Sequence, residues 1–308
     1  ALDAYDRLAE GGVAEPVRPA DPFLACFRTA DEAAALRDEL EQLKAAGLDV
    51  RYDLLDGDEV RRLVPVLTEE VGAGVRLYDQ RYIHPVRYME ALAAAVRDRG
   101  GVIREGVAVR EIRDDGTRVA VILENADAGR PQEPAGTPAL EGDAVVVASG
   151  AELSRLARRF GVRVKVQAGR GYSFSVAVDP MPPGPVYFPV QRVACTPLGD
   201  RLRVAGMMEF RAPDEPLDPR RVAAIVKAAQ PFFRNVDFSD RRDEWVGSRP
   251  CTADGLPLIG PTASERVFVG GGHCMWGIFL GPLTGQLLAE MVVTGRRPPE
   301  LAPFDPLR

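Results

Sequence analysis

VFVGGGHCMWGIFLGPLTGQLLAEMV, residues 267–292, runs an apolar strand into three glycines, a histidine and an irregular turn, and then enters a helix near Gly281-Pro282. A strand that ends in glycine ahead of a helix serves one of two purposes. It packs the helix tightly onto the sheet, or it lets backbone approach a flat or charged ligand, which the first helical amides and the helix dipole favour. In an open parallel sheet such ligands sit at the carboxyl ends of the strands. VVVASGA, residues 145–151, ends the same way. For Gly150 alone a turn is the plainer reading. For Gly270, Gly271, Gly272 and Gly277 together, spacing leaves turn and ligand open. Gly277, Gly281 and Gly285 stand four apart, which also suits a helix packed closely on a sheet.

The totals set the frame. A chain of 308 residues suggests about two domains and a sizeable core. With 39 basic and 45 acidic residues the net charge is −6, and the basic residues are scattered, which argues against a nucleic-acid partner. Cys26, Cys195, Cys251 and Cys274 lie far apart without a CxxC pair, and His84 and His273 are the two histidines. No zinc site or disulfide scaffold is expected, and a reducing cytoplasm is, with the inner face of the membrane as the alternative location. No leader is read, and the apolar window 278–293, interrupted by Pro282, Gln286 and Glu290, falls short of a bilayer span. The chain opens at Ala1 already in helical pattern, so an upstream segment is expected.

Periodicity predicts helices over 1–10 and 30–46, the latter capped by Asp31, and a short helix capped by Asp56 or Asp58 and closed before Pro65. His84-Pro85 opens a longer helix that ends at Gly100. Strands are predicted at 23–28, 50–55, over GVIRE (101–105), and in a hairpin turned by Asp115-Gly116. Residues 125–142 read as a loop. DAVVVASG (143–150), apolar on both faces, fits the middle of a parallel sheet, and a helix follows it to Gly161. From about residue 164 long alternating strands predict antiparallel sheet, followed by a helix capped at Asp218 and the strand DEWVGSRP. The fold class is therefore α/β mixed with α+β. A discontinuous half over 84–162 and 250–308 is interrupted by an antiparallel half over 11–83 and 163–249.

A dinucleotide site needs a G-x-G-x-x-G turn between strand and helix. None is present: GAGVRL (72–77) and GRGYSF (169–174) begin as GxG and lead into no helix. Walker A and G-x-S-x-G are absent too. Arg249, at the end of EWVGSR, stands where the halves meet. Its planar fork suits a carboxylate ligand, and a structural ion pair with a nearby acid competes with that reading.

Several segments together resemble the FAD-dependent D-amino acid oxidase superfamily, nearest its D-amino acid dehydrogenase and glycine oxidase-like members. They are HPVRYMEALAAAVRDRGGVIREGVAVREI, DAVVVASGAELSRLA, RGYSF, DRLRVAGMMEF, EWVGSRPCTADGLPLIG and GGGHCMWGIFLGPLTGQLLAEMV with its FDPLR tail, in family order. The pair RP-x-T-x-DG-x-P-x-IG and GH-x-x-x-G carries most of the specificity. The resemblance implies an incomplete Rossmann-like FAD-binding half, its G-x-G-x-x-G unit lying upstream of Ala1, and an antiparallel substrate domain.

The resemblance also implies roles. Backbone at Gly272, His273, Gly277, Ile278 and Phe279 would lie along the flavin ring, Val109 would meet the adenine side, and Ser149, Gly150 and Ala151 the middle of the cofactor. Arg249 would hold the substrate carboxylate. The loop reads GHCMWG, so Met275 and Trp276 would shape a larger, more apolar pocket. The implied chemistry is oxidation of the amine of a D-amino acid or an N-substituted glycine to an imine by hydride transfer to FAD, which oxygen or a quinone reoxidises. The alternative is a non-catalytic fragment or subunit whose flavin site another polypeptide completes. A thiol or hydrolytic enzyme centred on Cys274 or His273 is a third reading.

Overall fold

A computed structural model describes residues 1–124 and 139–308. In chain order it begins with α1 (Leu2–Glu10), β1 (Arg18–Pro19), β2 (Phe23–Phe27), α2 (Ala30–Ala45), β3 (Tyr52–Asp56), α3 (Gly57–Leu63), β4 (Ala73–Leu77), β5 (Arg81–Tyr82) and α4 (Pro85–Asp98). It continues with β6 (Val109–Asp114), β7 (Val119–Leu123), β8 (Ala139–Gly142), β9 (Val145–Val147), α5 (Leu153–Ala157), β10 (Val166–Val176), β11 (Val186–Phe188), β12 (Val193–Leu198) and β13 (Arg201–Phe210). α6 (Pro219–Ala229), β14 (Arg242–Thr252), β15 (Leu258–Pro261), β16 (Val267–Gly271) and α7 (Gly277–Thr294) complete it.

Local chemistry fixes the helix starts. Asp56 and Glu59 form a reciprocal capping box on α3, with bonds of 2.8 and 2.9 Å. The His84 ring caps α4 ahead of Pro85, and Asp218 caps α6 ahead of Pro219. α2 is capped by Thr29 instead of the expected Asp31: the threonine hydroxyl accepts from the Glu32 amide, so the helix starts at Ala30. The long helix expected after β9 is broken into the turn Gly150–Glu152, α5 and the turn Arg158–Phe160, closed by Gly161 at φ +87°.

An eight-stranded sheet runs β14-β10-β13-β12-β11-β2-β4-β3. It is antiparallel as expected except where β11 and β2 run parallel. Its main core gathers Leu24, Val60, Phe174, Phe188, Leu202, Ile225 and Phe232, all at most 2 % exposed, and the Phe188 and Phe232 rings stack 4.5 Å apart. Three smaller sheets accompany it: β15-β16-β9, the antiparallel β6-β7-β8 and the two-stranded β1-β5. Residues 139–142, expected as loop, are β8 and pair with β7. The rest of that expected loop, 125–138, lies outside the described residues.

Two expectations for the smaller sheet are corrected. Among the described residues β9 pairs with β16 alone, so it is an edge strand and not a central one, and Val146 is 41 % exposed. Residues 101–107, read as a strand in part, are irregular, with Val102 at 80 % and Val107 at 43 % exposure. A strand exists through its ladder, and no described strand lies beside this one.

The apolar window also extends further than expected. Cys274–Trp276 adds a 3-10 turn to α7, and residues 274–294 are long and apolar enough to cross a membrane by length and composition. Here that segment packs against α1, β15 and β16.

Candidate active site

β9 and β16 run parallel, Val145–Val147 beside Val267–Val269, so both glycine-ended strands finish at the same sheet edge. The three glycines after Val269 then divide their work. A Cβ on Gly270 would stand 2.6 Å from Leu288 Cδ1 of α7, and one on Gly271 2.6 Å from Leu153 Cδ1 of α5. These two let helices lie close on the sheet. Gly272 makes the turn at φ +76°. Gly150 turns at φ +60°, and nothing lies within 4 Å of where its Cβ would be. Gly281 and Gly285 are equally open, so the glycine spacing on α7 does not serve packing against the sheet.

The turn Cys274–Trp276 leads into α7, whose start at Trp276 has no side-chain cap. Its first amides have no side-chain acceptor and carry the positive end of the helix dipole. Ile278 and Phe279 are 56 % and 46 % exposed, as are Met275 and Trp276 at 62 % and 58 %. The Tyr5 hydroxyl of α1 donates to the Ile278 carbonyl, and burial pushes that phenol up to about 12.

His273 points the other way. It is buried, its Nε2 lies 2.9 Å from Thr284 Oγ1 of α7, and its backbone bridges to Cys251. Burial lowers its pKa, favouring the neutral ring. It ties the turn to α7 and β14. Among the described residues it has no carboxylate partner and no bond to Cys274, which meets Cys251 instead. A Cys–His or His–carboxylate arrangement for hydrolysis is therefore not assembled.

Arg249 lies opposite Gly169 on β10, and its guanidinium folds over Gly171, where any Cβ would collide with it. Nη1 donates weakly to the Met207 carbonyl at 3.4 Å and is 4.0 Å from Met208 Sδ. A bulge in β13, with Met207 at φ +69°, turns that carbonyl toward it. Among the described residues Arg249 has no carboxylate partner, so the structural ion pair does not form. β14 packs against both the Gly150–Glu152 and Cys274–Trp276 turns, which brings Arg249's strand to the edge where the glycine turns meet.

Of the residues picked from sequence, Ser149, Gly150, Ala151, Gly272, Gly277, Ile278 and Phe279 belong to these two turns and the α7 start. Val109 stands apart on β6, its carbonyl accepting from Arg155 of α5 at 2.9 Å. Sequence reasoning missed Tyr5, Gly171, Met207, Cys251 and Thr284; only Gly171, within a broken GxG pattern, carried a local signal. A cleft of about 970 Å³ lies between α6 and residues 230–241 and includes none of these groups.

An FAD ring asks for open backbone, donors for its electron-rich carbonyls and freedom from side-chain bulk. The open Gly150, the turn at Gly272 and the uncapped α7 start supply these, so the residues present fit that group.

Comparison with known proteins points the same way. Residues 1–291 match the family described as DAO, FAD dependent oxidoreductase. A D-amino acid dehydrogenase of Cereibacter sphaeroides is 28% identical over 281 residues, covering 89% of this chain and 61% of that protein. One from Xanthobacter autotrophicus is 30% identical over 311 residues, covering 98% and 70%. The chain thus spans about three fifths of the first relative's length. A glycine oxidase from Geobacillus kaustophilus has a TM-score of 0.85 at 24% identity, covering 100% of this chain and 82% of that one. An iminodiacetate oxidase from a Chelativorans species scores 0.80 at 17%, covering 99% and 80%. Both share the fold.

Proposed function

The chain belongs to the DAO family of FAD-dependent oxidoreductases, and on that premise we propose amine oxidation as its chemistry: a D-amino acid or an N-substituted glycine is converted to its imine. FAD, when bound, takes up the hydride. Arg249 holds the substrate carboxylate, and Gly171 keeps the space its guanidinium needs. The α7 start and the backbone at Gly272, His273, Gly277, Ile278 and Phe279 face the ring, with Ser149, Gly150 and Ala151 on the neighbouring turn and Val109 toward the adenine. His273, neutral and bound to Thr284, holds the turn and moves no proton. Met275 and Trp276 add apolar surface without a cation for a second carboxylate. We divide the labour between 84–162 with 250–308, for FAD, and 11–83 with 163–249, for substrate. Oxygen or a quinone is the acceptor class.

The observation that carries this reading is Arg249, a part-buried guanidinium with no acidic partner among the described residues, beside an open glycine edge. A hydrogen bond to a charged group contributes about 1.5–3 kcal/mol, and lysine keeps the charge without the fork. In the FAD-loaded protein Arg249→Lys is expected to raise KM about tenfold or more, at 1.4 kcal/mol per decade, with a smaller change in kcat. Wild-type kinetics in that variant would refute the Arg249 assignment, and D-aspartate as the best substrate of a D-amino acid panel would refute the apolar pocket at Met275 and Trp276.

The open edge of β9 favours a second reading, in which another polypeptide segment completes the flavin pocket. A flavin band that stays with the purified chain once unbound FAD has been removed argues against it, and a colourless chain argues for it.

A further inference from the structure

The four cysteines form two classes. Cys26 and Cys195 lie fully buried in the core of the large sheet, where burial raises both thiols far above their ordinary value. Cys251 and Cys274 are 23 residues apart in sequence, yet their sulfurs are 2.9 Å apart. The backbone bridge between Cys251 and His273 sets the end of β14 beside the turn. Cys274 then adopts φ +49°, a left-handed conformation uncommon for a side-chain-bearing residue. Cys251 is 6 % exposed, whereas Cys274 is part-exposed. One cysteine is thus part-exposed and the other is buried against it. Cys251's thiol is pushed up to about 12, first by burial and then by its bond to Cys274, so it is slow to attack an oxidant from solution, and its place against the Cys274 sulfur is what lets it resolve an oxidised neighbour.

We propose that Cys251 and Cys274 are a two-electron redox site, converted to an intrachain disulfide by a peroxide and restored by a dithiol. The Cys274 sulfur attacks the peroxide: an S–O bond forms, the O–O bond breaks, and the thiol proton leaves with the departing oxygen as water or an alcohol. The Cys251 sulfur then attacks that sulfenic acid. The S–S bond forms, the S–O bond breaks, and a water leaves carrying the second thiol proton. Two thiols are oxidised and one peroxide is reduced. The sulfurs need close only from 2.9 Å to about 2.05 Å, a movement that the turn at Cys274 can make. The bond would fasten the turn Cys274–Trp276 to β14, two residues from Arg249. This inference rests on the sulfur geometry and holds whichever substrate the protein uses.

The test is the intact mass and thiol count of the folded protein after stoichiometric hydrogen peroxide. A mass lower by about 2 Da is expected, the loss of two hydrogens. Two of the four thiols disappear, one cross-linked peptide joins Cys251 to Cys274, and dithiothreitol reverses the change. In Cys251→Ser, Cys274 should stop at a sulfenic acid that dimedone traps, and Cys274→Ser should keep its three remaining thiols. Four intact thiols in folded wild type after excess peroxide would overturn the proposal. So would a cross-link between molecules or between Cys26 and Cys195. The wild-type readout stands even where a serine variant fails to fold.

Discussion

The eight-stranded sheet and the β15-β16-β9 sheet use apolar residues in opposite ways. Around the large sheet, Phe174, Phe188 and Phe232 are fully buried, and the Phe188 and Phe232 rings stack 4.5 Å apart. Around the small sheet, Val146, Met275, Trp276, Ile278 and Phe279 are each more than 40 % exposed, and β9 offers an unpaired edge among the described residues. In the first region side chains satisfy side chains. In the second the backbone is what is presented: open glycines, an uncapped helix start and a strand edge. Such groups are free to meet a ligand's polar atoms or a flat ring. Arg249 reaches that edge on β14, the outermost strand of the large sheet.

The largest expected contrast is in packing. Phe188→Ala should destabilise by about 3–5 kcal/mol in urea denaturation, as buried aromatic truncations do, while Phe279→Ala should stay within about 0.5 kcal/mol as a surface change. Equal losses would mean that both regions are packed alike.

A sharper contrast lies within the glycine stretch itself. Gly272→Ala forces a side chain into φ +76° with its Cβ 2.8 Å from Thr252 Cγ2, and a loss of about 1–3 kcal/mol is expected. Gly281→Ala meets nothing within 4 Å in mid-helix and should gain about 0.5–1 kcal/mol. Thermal midpoints moving in the same direction would show that the stretch does not divide between turn and open face.

The smallest effect is in pH. Burial lowers His273's folded pKa below its ordinary value, so the unfolded chain binds the proton more readily. Stability is complete above about pH 6.5 and declines as pH falls toward the folded pKa, by at most about 1.4 kcal/mol per unit. His273→Gln should flatten that slope between pH 6.5 and the onset of carboxylate titration. An unchanged slope would locate the proton uptake elsewhere.

Much of this was legible in local chemistry. The glycine-ended strands, the Pro-marked starts of α4 and α6 and the alternation of β10 and β13 are short-range signals, and they placed the two turns along the chain, whereas the strand expected to end at Arg249 runs on to Thr252. The cap of α2 was misplaced because threonine and aspartate two residues apart are equally competent, and only the helix's tertiary docking chooses between them. GVIRE and VVVA were misjudged for another reason: apolar composition says that a segment can be buried in a sheet, but pairing requires a neighbour, and that neighbour is not among the described residues.

By itself the sequence determined that this is a mixed α/β chain with glycine turns at strand ends, an arginine on the strand DEWVGSRP, and the motifs of a flavin-dependent family. These are properties of nearest neighbours and of pattern. Tertiary structure alone decided which glycines pack helices and which face open space, that no acid among the described residues pairs with Arg249, that His273 is spent on Thr284, and that Cys251 meets Cys274. Each of those depends on which distant segments the folded sheet brings within a few ångströms, and sequence spacing does not encode that distance.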